Sequence, residues 1–164
     1  AVTVNAAEVT YTAQLDKTTL NVSFSEQKVV MTVSASDAIL VDGIGMTVTI
    51  PEGWSIASIE NEELGFAPKN VNLAEGRVVY AAPDGQNHAV RLLAKVTYNV
   101  PAGTHAGDYL LGVEDLHFYD IYTPLVADVD KKIPYAQAKQ TISALNANDM
   151  TEAQKYVYKS IIGE

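Results

Sequence analysis

A chain of 164 residues with 48% hydrophobic content fits one domain, with room for a small appendage. At this length folding buries roughly 70% of the surface of the unfolded chain, so a core forms without covalent staples. The absence of cysteine excludes disulfides, thiolate catalysis and Cys-ligated zinc or iron–sulfur centres, and the net charge of −9 disfavours nucleic acid and anionic membrane surfaces.

The opening "VTVNAAEVTYTAQL" supplies a strand or two. From residue 18 to 118 the chain alternates with period 2 between Pro, Gly and Asp turns. In "TLNVSFS" Leu20, Val22 and Phe24 share a face, and in "KVVMTVSAS" Val29, Met31 and Val33 do. "IGMTVTIPEGW" aligns Ile44, Met46, Val48 and Ile50 ahead of a Pro51-Glu52-Gly53 turn. Trp54, Ile56 and Ile59 follow, with a one-residue slip between the last two. "GRVVYAAPDG" carries Val78 and Tyr80 from one glycine turn to the next. The longest case, "AVRLLAKVTYNVPAG", puts Val90, Leu92, Ala94, Val96, Tyr98 and Val100 on one face, with Leu93 interrupting the polar face opposite.

"VPAGTHAGDY" is turn vocabulary on both sides of His105. Beyond it, Leu111 and Val113 hold odd positions while Leu116 and Phe118 hold even ones, so a β-bulge is expected at Glu114-Asp115, after which His117 points outward. Short alternating strands of this kind make an antiparallel β-sandwich, of about nine strands, with one wet face per sheet. After about Pro124 the pattern changes. "PYAQAKQTISALN" sets Tyr135, Ala138, Ile142 and Leu145 on a helical stripe, and "MTEAQKYVYKSIIGE" opens with Thr151 and Gln154 at capping-box spacing. The expected organisation is a sandwich over 1–123, less certain before residue 18, and a helical hairpin over 124–164.

No apolar run approaches the ~20 residues that span a bilayer. No basic-then-apolar export signal opens the chain, and "AVTVNAAEV" is compatible with an end from which such a signal has been removed.

Candidate chemistry is thin. His105 and His117 fall at opposite ends of one expected strand, too far apart for a shared metal. Asp128 and Asp130 open an EF-hand-like loop, but Ile133 and Lys139 stand where its glycine and bidentate glutamate belong. Glu62-Glu63, Asp84 and Glu114-Asp115 are available as acid–base pairs, yet each sits at a turn or bulge, and nothing in the spacing makes two of them converge. No nucleophile elbow, phosphate loop or dinucleotide fingerprint is present. Among the aromatics, Trp54 and Tyr98 read as core, whereas Tyr119 and Tyr122 follow the last alternating strand and line a surface suited to stacking on sugar rings. No cofactor is expected.

Three segments carry a family resemblance: "GIGMTVTIPEGWSIASIENEEL", "NVNLAEGRVVYAAPDG" and "HAVRLLAKVTYNVPAGTHAGDYLLGVEDLHFYD". In this order, over roughly 18–120, they resemble the cohesin domain, the β-sandwich (a jelly roll) by which cellulosome scaffolds hold dockerin-bearing enzymes. Related carbohydrate-binding modules share the sandwich. The resemblance implies a non-catalytic, extracellular or cell-surface module that binds a protein partner, dockerin-like or other. Carbohydrate binding through Tyr119 and Tyr122, with a polysaccharide as partner, is the alternative, and a glycan-active enzyme a lesser one. Where dockerin-binding cohesins carry Asn or Asp before the strand at Met46, this chain has Gly43 and Gly45. The loop "AAPDGQN" keeps Asp84 and Gly85 near the family's contact region. The expected contact residues, chosen by position, are Tyr80, Asp84, Gln86 and Asn87.

Overall fold

A computed structural model describes residues 9–119 and the backbone of 139–143. Among the described residues there are eleven strands and no helix: β1 Tyr11–Leu15, β2 Thr19–Asn21, β3 Gln27–Val41, β4 Gly43–Val48, β5 Ser55–Glu60, β6 Asn70–Asn72, β7 Arg77–Ala81, β8 His88–Val100, β9 Gly107–Leu110, β10 Val113–Tyr119 and β11 Lys139–Ser143. Two four-stranded antiparallel sheets, ordered β1-β3-β8-β5 and β10-β4-β7-β6, form the sandwich. The expected all-β class is met, with more strands than the alternation alone resolved.

The alternating apolar residues fill the space between the sheets. Val29, Met31 and Val33 from β3 meet Ile44, Met46 and Val48 from β4, with Val78, Tyr80, Val96, Tyr98 and Leu116 in one continuous core. Each such fully buried side chain contributes about 1.5–3 kcal/mol. Tyr98 is buried whole because its hydroxyl donates to the Thr49 carbonyl at 2.7 Å; a buried phenol without that partner costs free energy. Stacking of Tyr11 on Phe118, with ring centroids 5.3 Å apart, ties the edge strand of one sheet to that of the other.

The phase switch near residue 114 is a bulge: Val113 pairs with Val48 and Asp115 with Thr47, leaving Glu114 extra. A second bulge explains Leu93. On β8, Ala94 faces Val33 and Leu92 faces Ser34, so Leu93 is the inserted residue and turns into the core, while Leu92 stays half-buried. The alternation assigned the inward place to Leu92; the bulge moves it to Leu93.

β8 loses its ladder with β5 beyond Lys95, and the segment after β5 substitutes for it. Buried Asn61 donates through Nδ2 to the carbonyls of Leu92 (2.7 Å) and Leu93 (3.0 Å) and accepts at Oδ1 from the amides of Glu63 and Leu64. The Glu63 carboxylate accepts from the Arg91 and Leu92 amides at 2.6 and 3.0 Å. Backbone groups that the bulge would strand are thereby paired.

Residues 139–143 correct one expectation. They form a strand, parallel to β2 (Thr141 opposite Thr19) and antiparallel to β9 (Thr141 opposite Asp108), where a helix was expected over 134–145. Two open strand edges offer seven ladder pairings to this stretch, and that tertiary demand outweighs a helical stripe of four residues. The remainder of the expected hairpin lies outside the described residues.

Candidate functional site

Sheet β10-β4-β7-β6 turns outward the odd-numbered residues of β4, β7 and the part of β10 after its bulge, and the even-numbered ones of β6, and the strand registers arrange them in rows. Asp115, Thr47, Arg77 and Asn72 lie side by side across the four strands. The next row is His117, Gly45, Val79 and Asn70, and the third is Tyr119, Gly43 and Ala81. The middle strand therefore contributes a hydroxyl and two glycines, and the two rings of β10 use the room. A Cβ added to Gly45 would come within 2.6 Å of His117 Cε1, so the imidazole lies on the bare backbone of β4. A Cβ on Gly43 would meet Tyr119 Cδ2 at 3.0 Å. The two rings contact edge to face, with centroids 5.6 Å apart, and His117 Nδ1 lies 3.4 Å from Asp115 Oδ1. The resulting surface is low in relief, with small or short side chains at its centre and Asp115, Arg77, Asn70, Asn72 and Tyr119 exposed around it.

The 82–87 loop continues this face. Ala81 pairs with Gly43, and the Ala82 amide donates to the Asp42 carbonyl at 2.7 Å, so the loop begins where the third row ends. Gly85, at φ +66°, takes the left-handed conformation that closes the turn, its amide donating to the Ala82 carbonyl. Asp84 accepts from the Gln86 amide at 3.0 Å, and its two oxygens lie 3.0 and 3.1 Å from His88 Nε2. The His88 hydrogen bond, then the Gln86 amide, hold the Asp84 carboxyl below the usual carboxylate range. The His88 ring is in turn braced edge-on by Phe66 at 5.5 Å.

Of the four expected contact residues, the structure brings Asp84, Gln86 and Asn87 together on this loop, with Asp84 and Gln86 exposed. Tyr80 is a correction: it is 1% exposed, in phase with Val78 on the inner face of β7, and offers a partner no surface. Its phenol is pushed up to about 12, first by burial and then by the Glu60 carboxylate, and its hydroxyl finds no hydrogen-bond partner. Tyr119 stands at the edge of the sheet face, 44% exposed, and Tyr122 lies outside the described residues. The seat has a signal in the sequence: Gly43 and Gly45, two apart on a strand, strip one face of side chains.

Three of the five candidate carboxylates are engaged locally. Glu63 caps the β8 bulge, Asp84 binds His88, and Asp115 approaches His117. Among the described residues no three His, Asp or Glu side chains gather in the manner of a metal site. His105 is exposed at its turn and His117 sits at the far end of the β9–β10 segment.

No protein-family model matches the chain, and no curated protein matches it either. Solved structures do. A chain from the crystal structure of a CaDoc0917–CaCohA2 complex at pH 5.5 superposes with a TM-score of 0.53 at 18% identity, covering 83% of this chain and all of its own 100%. The non-cellulosomal cohesin of the hyperthermophilic archaeon Archaeoglobus fulgidus superposes with a TM-score of 0.51 at 16% identity, covering 92% of this chain and 98% of that one. The fold is cohesin-like, as the three sequence segments implied. At such identities the likeness is one of fold.

Proposed function

We propose that this chain is a non-catalytic interaction module that captures a protein partner on the outer face of β10-β4-β7-β6 and the adjoining 82–87 loop. The observation that carries this reading is the seat over Gly43 and Gly45, where the His117 and Tyr119 rings, edge to face with one another, take the room left by the missing side chains and keep the surface low in relief. Such a surface suits a folded partner better than a small substrate, which needs a concave pocket. Affinity would come from a few anchors near its centre, Val79 and His117, ringed by polar contacts from Asp84, Gln86, Asn87, Asn70 and Asp115. One fold neighbour is held in a complex of the Doc–Coh kind, which favours a dockerin-like or comparable partner. Such a module works outside the cell or at its surface, and among the described residues no helix is long and apolar enough to cross a membrane.

The test is capture of a panel of purified dockerin-bearing proteins by immobilised chain. Val79→Arg places a long cation in the centre and should abolish capture, while the Asp84→Ala/Asn87→Ala pair should weaken it. Capture that survives both changes would show that this face is not the one used. A glycosidase screen bears on the enzyme reading: turnover of any glycan would contradict a non-catalytic role.

A further inference from the structure

A second surface feature lies off the other end of β4. Two Pro-X-Gly turns, Pro51-Glu52-Gly53-Trp54 and Pro101-Ala102-Gly103-Thr104, stand on either side of an open groove of about 540 Å³. Each turn is closed by its own hydrogen bond, from the Trp54 amide to the Pro51 carbonyl and from the Thr104 amide to the Pro101 carbonyl. Both glycines hold positive φ, +84° and +76°, so the rims are fixed in shape and bare of side chain at those points.

The groove wall is the ring of Tyr109, and that ring is immobilised twice. Its hydroxyl donates to the His105 carbonyl at 2.7 Å, and it stacks on buried Trp54 with centroids 5.3 Å apart at 27°. Trp54 is backed edge-on by Tyr98 in the core. An aromatic held this way loses no rotamer freedom when something packs on it. At the mouth stand Glu52, an exposed carboxylate with acceptor oxygens only, and the exposed His105.

We propose that this groove binds a neutral saccharide. A sugar ring offers an apolar C–H face to Tyr109 and hydroxyl donors to the Glu52 carboxylate. The groove is open rather than enclosed, which suits a ring lying on an aromatic face with its other side in water. A chain of net charge −9 repels acidic glycans. A cation would want several rings or several carboxylates around it, and this groove presents one of each. The assignment moves sugar recognition from Tyr119 and Tyr122 to Tyr109, and it is independent of the protein-binding face.

Trp54 is the sole tryptophan, so its emission reports directly on the ring behind Tyr109. Cellopentaose, xylopentaose and N-acetylchitopentaose are titrated separately to about 10 mM into the full chain, a range that reaches millimolar Kd values. At least one should give a saturable change in Trp54 emission. Glu52→Gln, at an exposed position, keeps an acceptor oxygen but removes its charge, which roughly halves such a hydrogen bond and should weaken that affinity about fivefold. Tyr109→Ala should abolish it, and Asp84→Ala/Asn87→Ala should leave it intact. If Tyr109→Ala fails to fold, Glu52→Gln decides alone. The proposal is overturned if no pentasaccharide gives a saturable response, if Glu52→Gln binds as the parent does, or if trilysine gives the same response as the sugars.

Discussion

Asn61→Ala should be among the most destabilising single changes to a polar residue in this chain. Asn61 is 8% exposed and its side chain makes four hydrogen bonds, two to carbonyls on the β8 bulge and two from amides of its own turn. Alanine removes all four and gives the buried carbonyl of Leu93 nothing in exchange. A net hydrogen bond is worth about 1 kcal/mol and a stranded buried group about 1–3 kcal/mol, so the change should cost about 3–5 kcal/mol, allowing for water reaching the outer partners. In a chain of this size that corresponds to a fall in Tm of roughly 10–15 °C. Urea unfolding, with the midpoint shifted and the slope unchanged, measures it directly. Glu62→Ala next door, on an exposed side chain, should cost no more than about 0.5 kcal/mol and serves as control. A loss below about 1 kcal/mol for Asn61→Ala would mean that β8 is not held by this clamp, and the account of the Leu93 bulge would fall with it.

Four further outcomes follow from the geometry of the two sheets and the 82–87 loop. Gly45→Ala should eject the His117 ring from β4 and cost about 1 kcal/mol, and adding His117→Ala should recover part of that loss, a coupling that a double-mutant cycle reads out. Tyr80→Phe should be neutral or stabilising because the buried hydroxyl it removes has no partner, and thermal melts check this. Tyr80 also contributes to an alkaline limit, together with Tyr98, whose phenol is likewise pushed up by burial. The folded pKa of Tyr80, about 12, stands above its unfolded value near 10, so its contribution is fully present below pH 10 and is lost as pH rises toward 12; urea midpoints at about pH 9 and 11 should fall in that order. For Asp84 the sign reverses: its lowered folded pKa gives a contribution present above the unfolded value and lost as pH falls through the folded one. Carboxyl NMR should place the Asp84 midpoint below the usual range and move it back up in His88→Ala.

Strand positions were legible in this sequence because an antiparallel sheet with one wet face imposes period 2, and the runs at Val29–Val33, Ile44–Val48 and Val96–Val100 obey it. Even the bulge at Glu114-Asp115 announced itself, since an inserted residue must flip the phase of everything after it. The same rule places Tyr80 with Val78 on the inner face, and nearness to the 82–87 loop does not outweigh that parity. Leu93 was harder: whether it or Leu92 turns inward depends on what β3 and Asn61 present opposite, which the local pattern does not contain.

Segment 139–143 and the binding face show where local information stops. A stripe of spaced apolar residues fits a helix, yet these five residues lie between β2 and β9, strands more than eighty positions apart, whose open edges only the folded chain brings together. The sequence by itself determined the sheet-forming segments and most of their inward residues, because side-chain periodicity is a short-range property, while the cohesin-like class came from the resemblance of three segments to that family. Only the tertiary structure decided that His117 rests on Gly45 and that Tyr109 stands over a groove between two proline turns. Those arrangements depend on strand register and on contacts between segments distant in the chain, and no window of sequence encodes them.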